Sequence, residues 1–532
     1  MSVTDYKSSL HYLALQPSKS GLSFEEFLLY FSNKDIGKLD LAISETILRD
    51  AFYKRLGSYY NTNKITCLGE FKMISNRHFA LERCEAPDMS IGKKSYTFKS
   101  IQLPFFHKFL FVIDNEQKEQ FLANLLERSP ILSAILFTFI SNVGLEMIAS
   151  SRCAPSLRTI DAKVNNDAVE AIQTLCQASP DLRSLNLRND IHALEGDAIT
   201  QTVVQHCPLI EALPTYLWNM TDTSLNALAN IHTLKQAHIF DYDYSKDAVQ
   251  RVLEANPNLV AIGLGCVDDA LVRCIGRCCG NLTRLVLGQG VNPVQCSDAL
   301  VDLFRGCTRL ESLKLCLQGV ISITVLYALF EYCHHLTTLE LLFMLPGEHL
   351  LITEPVLYTC YPALTKLKVA NHGISGSALQ SIITYCTNLK EVTLCSCKQL
   401  TDDILITLVQ NCTCLKSLSL SSCLSATIAG LLEVATHCSS LSVLYLHNMP
   451  VNGDLLLQLS HYCTDLTRLT FMQCYGGPIT EAGVVAVVER CTGLTFFSLR
   501  GNVVESLLHT LDVTKLQQLY PHITFEITGR CY

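Results

Sequence analysis

The feature that most constrains this 532-residue chain is a period. A leucine-type residue returns at Leu157, Leu182, Ile210, Leu234, Leu259, Leu282, Leu310, Leu336, Leu364, Leu389, Leu415, Leu441, Leu466, Leu494 and Ile523, in steps of 23 to 29 residues averaging about 26. A chain of this length ordinarily splits into about three or four compact domains, whereas a repeat array grows by stacking and needs no such split. A period of this size holds one short strand and one helix. Composition agrees: 49% of residues are apolar, 17% are charged, and the mean hydropathy is +0.25. That balance is expected when every unit buries both its strand and its helix.

Within a unit the order is Cys-x-x-Leu-x-x-Leu-x-Leu. Its last three positions alternate as a half-buried strand does, leucines inward and the intervening residues outward. In TDDILITLVQNC, Thr401 and Asp402 are N-cap types, and Ile404, Leu405, Leu408 and Val409 fall at helical spacing behind them. Strand, turn and helix then repeat, so neighbouring strands should pair in parallel and cover one another's apolar faces.

The period also places the cysteines, of which there are 25. Cys207, Cys279, Cys307, Cys333, Cys386, Cys412, Cys438, Cys463 and Cys491 stand three residues before the first leucine-type position, where a helix ends. Cys397, Cys423 and Cys474 stand three residues after the strand's last apolar position, and Asn502 takes that place in the last clear unit. An inward position where a small side chain bonds the adjacent turn would accept either residue. Cys395, Cys397, Cys412 and Cys414 taken alone could form a zinc site, since four thiolates suit that ion. The period removes that reading: Cys397 and Cys412 bracket a helix of about ten residues, roughly 15 Å apart. No metal or cofactor is therefore expected. Cys395 should face the sheet's open groove and is the thiol expected to react if any does.

The net charge of −8 provides no basic stripe, so no nucleic-acid partner is expected. The N-terminus has neither a basic nor an apolar leader region, which points to the cytoplasm or nucleus, where thiols stay reduced. The most apolar window, residues 131–149, contains Asn142 and Glu146 and reads as a buried helix, not a membrane span. No phosphate loop, nucleophile elbow or zinc-protease motif occurs, so no catalytic residue is assigned and no enzyme is expected.

The run from Leu389 through Leu408, with Val392 at the second apolar position, resembles the cysteine-containing class of leucine-rich repeats. The resemblance implies an α/β solenoid: a horseshoe with a parallel concave sheet, helices on the convex side and a small helical N-terminal module. The organisation expected is a module over 1–60, a connecting region over 61–150 and repeats over 151–532. Repeats of this class often follow an F-box, which docks on the adaptor of a cullin-RING ubiquitin ligase. Residues 22–56 resemble that module in Phe24, Phe27, Leu28 and Phe31 of a first helix and in Asp35, Ile36 and Leu39 of a second. They depart from it at Ser23, where proline is usual, and at Phe52, where tryptophan is usual. A plain cap over the first repeat and an unrelated small domain remain open.

A solenoid recognises partners through the outward residues of its strands. Those of the middle units are charged and mixed, as in Lys314, Glu340, Lys366, Lys368 and Glu391. Those of the last units gather Tyr445, His447, Arg468, Met472, Phe496 and Arg500, types enriched in protein interfaces, with Phe496 and Met472 expected to be exposed. The expected function is substrate recognition for a cullin-RING ligase, the partners being a protein on the concave face and the adaptor at the N-terminal helices. The rival expectation is a scaffold or regulatory repeat protein with no ubiquitin link.

Overall fold

The computed structural model describes the backbone of Phe79–Arg83 and Tyr96–Leu103, single positions between 119 and 126, and residues 134–529. Gaps fall at 166, 189–193, 214–216, 219, 241–243, 292–294, 320, 345–360, 372 and most of 502–510. The chain divides into two compact units, Met1–Asn256 and Pro257–Tyr532.

In the first unit, strands Phe79–Arg83, Tyr96–Leu103, Ala134–Ile140, Thr159–Val164 and Ser184–Arg188 form one sheet in that order. The first pair is antiparallel and the others are parallel. The window read as a single helix at 131–149 is instead a strand, Ala134–Ile140, followed by a helix, Asn142–Ala149. The reason is local. Ser141 ends the strand and caps the helix, its hydroxyl accepting from the Gly144 N–H at 3.0 Å. Leu145 and Ile148 then face inward while Glu146 faces solvent. Strand-and-helix units thus begin before residue 150.

In the second unit an all-parallel sheet runs in chain order from Ala261–Cys266 to Thr524–Thr528. Parallel strands need a crossover, and ten-residue helices such as Asp402–Asn411, Ile428–His437 and Gly453–Tyr462 provide it. From Glu391–Cys395 to Phe496–Arg500 the register is constant: Leu394, Leu420, Leu446, Phe471 and Leu499 sit opposite one another on successive strands, and all are buried. The stacked leucine positions are the core. Parallel strands stacked in chain order with a helix between them make this an α/β solenoid, the architecture that the resemblance to leucine-rich repeats implies.

Side chains tie each unit to the next. Thr401 caps its helix, and Asp402 behind it accepts from the N–H and hydroxyl of Thr427, the next unit's cap, at 2.7 and 2.6 Å. All nine helix-end cysteines are C-cap residues, and all are buried. Several donate to carbonyls of the unit before: Cys463 to Ala435 and Cys438 at 3.3 and 3.2 Å, Cys491 to Cys463 at 3.5 Å. Burial pushes Cys412 and Cys491 up to about 11 and Cys307, Cys333, Cys438 and Cys463 up to about 12. They remain thiols, able to donate, at neutral pH. Cys397, Cys423 and Cys474 act likewise past the strand, donating to Val369, Leu394 and Leu446 at 3.7, 3.4 and 3.4 Å. Asn502 lies outside the described residues.

Candidate functional site

The outward residues of the second unit form three columns across the sheet. Each position on one strand faces its equivalent on the next, about 4.8 Å away. The first column places Lys366, Glu391, Ser417, Val443, Arg468 and Phe496 in succession. The second places Lys314, Glu340 and Lys368, and later Tyr445, Thr470, Ser498 and Glu526. The third ends in Ser421, His447, Met472, Arg500 and Thr528.

The six residues expected to form a contact patch do lie together, on the strands Val443–His447, Arg468–Met472 and Phe496–Arg500. They are bound to one another and to their neighbours. The Arg468 guanidinium lies over the Phe496 ring, its carbon 4.4 Å from the centroid. The Tyr445 hydroxyl donates to the Met472 sulfur at 3.4 Å. His447 Nδ1 is 3.0 Å from the Ser421 hydroxyl and Nε2 is 2.9 Å from Gln473 Oε1. Because that amide oxygen can only accept, Nε2 donates to it. Arg500 donates to Glu526 at 2.6 Å.

Two expectations change. Phe496 and Met472 are half-buried, not exposed, because Arg468 covers the ring and the Tyr445 hydroxyl rests on the sulfur. Thr470 and Ser498, outward by register, are buried beneath these larger neighbours. On these strands Arg468 is exposed, and Tyr445, Met472, Phe496 and Arg500 are half-buried.

The sequence did not single out Leu424 and Tyr475, which are 58% and 42% exposed on the rim just past Cys423 and Cys474. Their signal was positional: each directly follows the small inward residue of the turn, where Lys398 stands one unit earlier. Tyr475–Gly476 also pairs in parallel with Pro450–Val451, which fixes this rim.

The middle of the face differs. Lys366 pairs with Glu391 at 2.8 Å, and Glu340 lies 3.9 Å from both Lys314 and Lys368. Cys395 is half-buried there and burial raises its thiol pKa, whereas Cys414 is exposed. Cys395 faces outward on the sheet, in register with Ala370 and Ser421, as expected, and Cys414 is the more exposed thiol of this stretch. Phe24, Phe27, Leu28, Phe31, Asp35, Ile36 and Leu39 lie outside the described residues. No helix among the described residues is long and apolar enough to cross a membrane.

No family model and no curated protein matches the sequence. Among solved structures the chain is similar to the complex of Rad7 and Elc1 in yeast, with 16% identity, 71% of this chain and 84% of that chain covered, and a TM-score of 0.43. It is also similar to the TLR13–ssRNA13 complex, with 15% identity, 78% of this chain and 59% of that chain covered, and a TM-score of 0.33.

Proposed function

We propose that this chain is a non-enzymatic recognition protein that holds a protein partner on the outward face of its sheet, centred on the strands Val443–Arg500. The observation that carries it is the layer of Arg468, Phe496, Tyr445 and Met472, large interface-type side chains packed edge to edge on adjacent strands. Rigid side chains lose little entropy on binding, which is what a recognition surface needs. Quantitative co-purification from cells tests it, with the wild type, Y445A/R468A/F496A and K366A/K368A as baits. Loss of the main partner from the first variant alone supports the site, and equal recovery by all three overturns it.

The finer role is substrate receptor of a cullin-RING ubiquitin ligase in the cytoplasm or nucleus. The resemblance of residues 22–56 to an F-box supports it. In this role residues 22–56 take the adaptor and the repeats present the substrate, while ubiquitin transfer occurs on other subunits. Purified full-length chain should retain adaptor in a pulldown and lose it in F27D/F31D. Absence of adaptor from the wild-type pulldown leaves the scaffold reading.

A further inference from the structure

Every charged outward side chain of the later strands has an ion-pair partner, with one exception. From Ser312–Leu317 to Thr524–Thr528 the charged outward side chains are Lys314, Glu340, Lys366, Lys368, Glu391, Arg468, Arg500 and Glu526. Lys314 and Lys368 share Glu340, Lys366 takes Glu391, and Arg500 takes Glu526. No described carboxylate pairs with Arg468. Its guanidinium carbon lies over the Phe496 ring, 4.4 Å from the centroid, a contact that supports the group without neutralising it, and its residue is exposed. The outward residues of the flanking strands Val443–His447 and Phe496–Arg500, and of Ser417–Ser421 one strand further, include no acid. A guanidinium preorganised on an aromatic ring is suited to a bidentate carboxylate.

We infer that Arg468 on its Phe496 platform receives a carboxylate from an acidic segment of the protein partner, and that an apolar side chain of the same segment rests against Met472 and Tyr445. This rests on the face being the binding site. Arg468 and Met472 are the two ends of one strand, four residues and roughly 13 Å apart at about 3.3 Å per residue. An extended segment laid along that strand therefore carries its acid and its apolar residue about four positions apart. A nucleic acid fits less well. Its repeating phosphates call for a stripe of basic groups, and here one unpaired arginine stands on a face of a chain with net charge −8.

Fluorescence anisotropy on the full-length protein tests this with three labelled ten-residue probes. One is a Gly/Ser peptide carrying Glu and Leu four residues apart, one is the same peptide with Gln for Glu, and one is oligouridylate. The Glu peptide should bind the wild type at least about 10-fold more tightly than the Gln peptide, as expected for a charge-assisted bond. Arg468→Ala should abolish that difference, Arg468→Lys should keep part of it, and Arg468→Glu should reverse it for a Lys-bearing peptide. Circular dichroism establishes that the variants are folded. Equal affinity for the Glu and Gln peptides, tighter binding of oligouridylate, or binding of none of the probes overturns the inference. If the co-purifying partner is nevertheless lost from Y445A/R468A/F496A, the face stands and only its acidic ligand falls.

Discussion

Cys463 donates its thiol hydrogen to two carbonyls of the preceding unit, and the serine at the equivalent helix end shows what a shorter side chain does there. Ser179 caps its helix like the cysteines and is fully buried, yet its hydroxyl finds no partner among the described residues. Sulfur's longer bonds and larger radius let it reach carbonyls that oxygen at the same position does not. Cys463→Ser should therefore destabilise by about 1–3 kcal/mol, the range for a buried hydroxyl left without a partner, and at least as much as Cys463→Ala. Urea unfolding of both variants checks the order. Cysteine's role was legible because its spacing repeats. Tyr361, at the equivalent place before Leu364, was not, because one tyrosine repeats with nothing. Its hydroxyl donates to the Cys333 carbonyl and accepts from the Leu336 N–H at 3.0 Å, replacing a thiol with a longer polar arm.

At the scale of the element, two contacts set how closely neighbouring units can stack. The helices Asp269–Cys278 and Ser297–Gly306 meet at glycines, where a Cβ on Gly306 would fall 1.8 Å from the Gly276 carbonyl oxygen. Alanine is the better helix former by about 1 kcal/mol, but here the obstruction is backbone and cannot swing aside. Gly306→Ala should cost about 2–3 kcal/mol net, as overpacking does, and a gain in Tm would contradict this contact. Asp197 makes the second contact, accepting from the Thr221 N–H and hydroxyl at 2.8 and 2.7 Å and from Ser224. Burial pushes its pKa up, but the bonds from Ser224 and Thr221 outweigh burial and hold it below the usual carboxylate value. A pKa depressed by folding stabilises fully above the unfolded value of about 4 and loses that contribution as pH falls through the folded one. Asp197→Asn should lower Tm at pH 7 and flatten the acid limb below about pH 4. Glu211, held low by Lys235 and Arg183, keeps part of that limb in place. The period exposed such units from residue 157 on. It did not expose the Ala134–Ile140 strand and its helix, whose apolar residues run together until the Ser141 cap divides them.

At the scale of the whole molecule, the fold was legible and the site only partly so, for one physical reason. A core position reports itself in every unit, because burial demands the same residue type each time. A surface position does so only once register is known. Lys366 and Glu391 are 25 positions apart in sequence and 2.8 Å apart in space, so their mutual neutralisation, and the isolation of Arg468, emerged only from the strand pairing. The half-burial of Phe496 and Met472 was hidden for the same reason. Hydroxyl-radical footprinting of the co-purified complex tests the binding face most directly. Tyr445, Met472 and Phe496 should lose reactivity when the partner is bound, while Tyr327, 45% exposed on the helix Ile323–Tyr332, should be unchanged. Protection of Tyr327 with undiminished oxidation of Met472 and Tyr445 would put the partner on the helices and contradict the account.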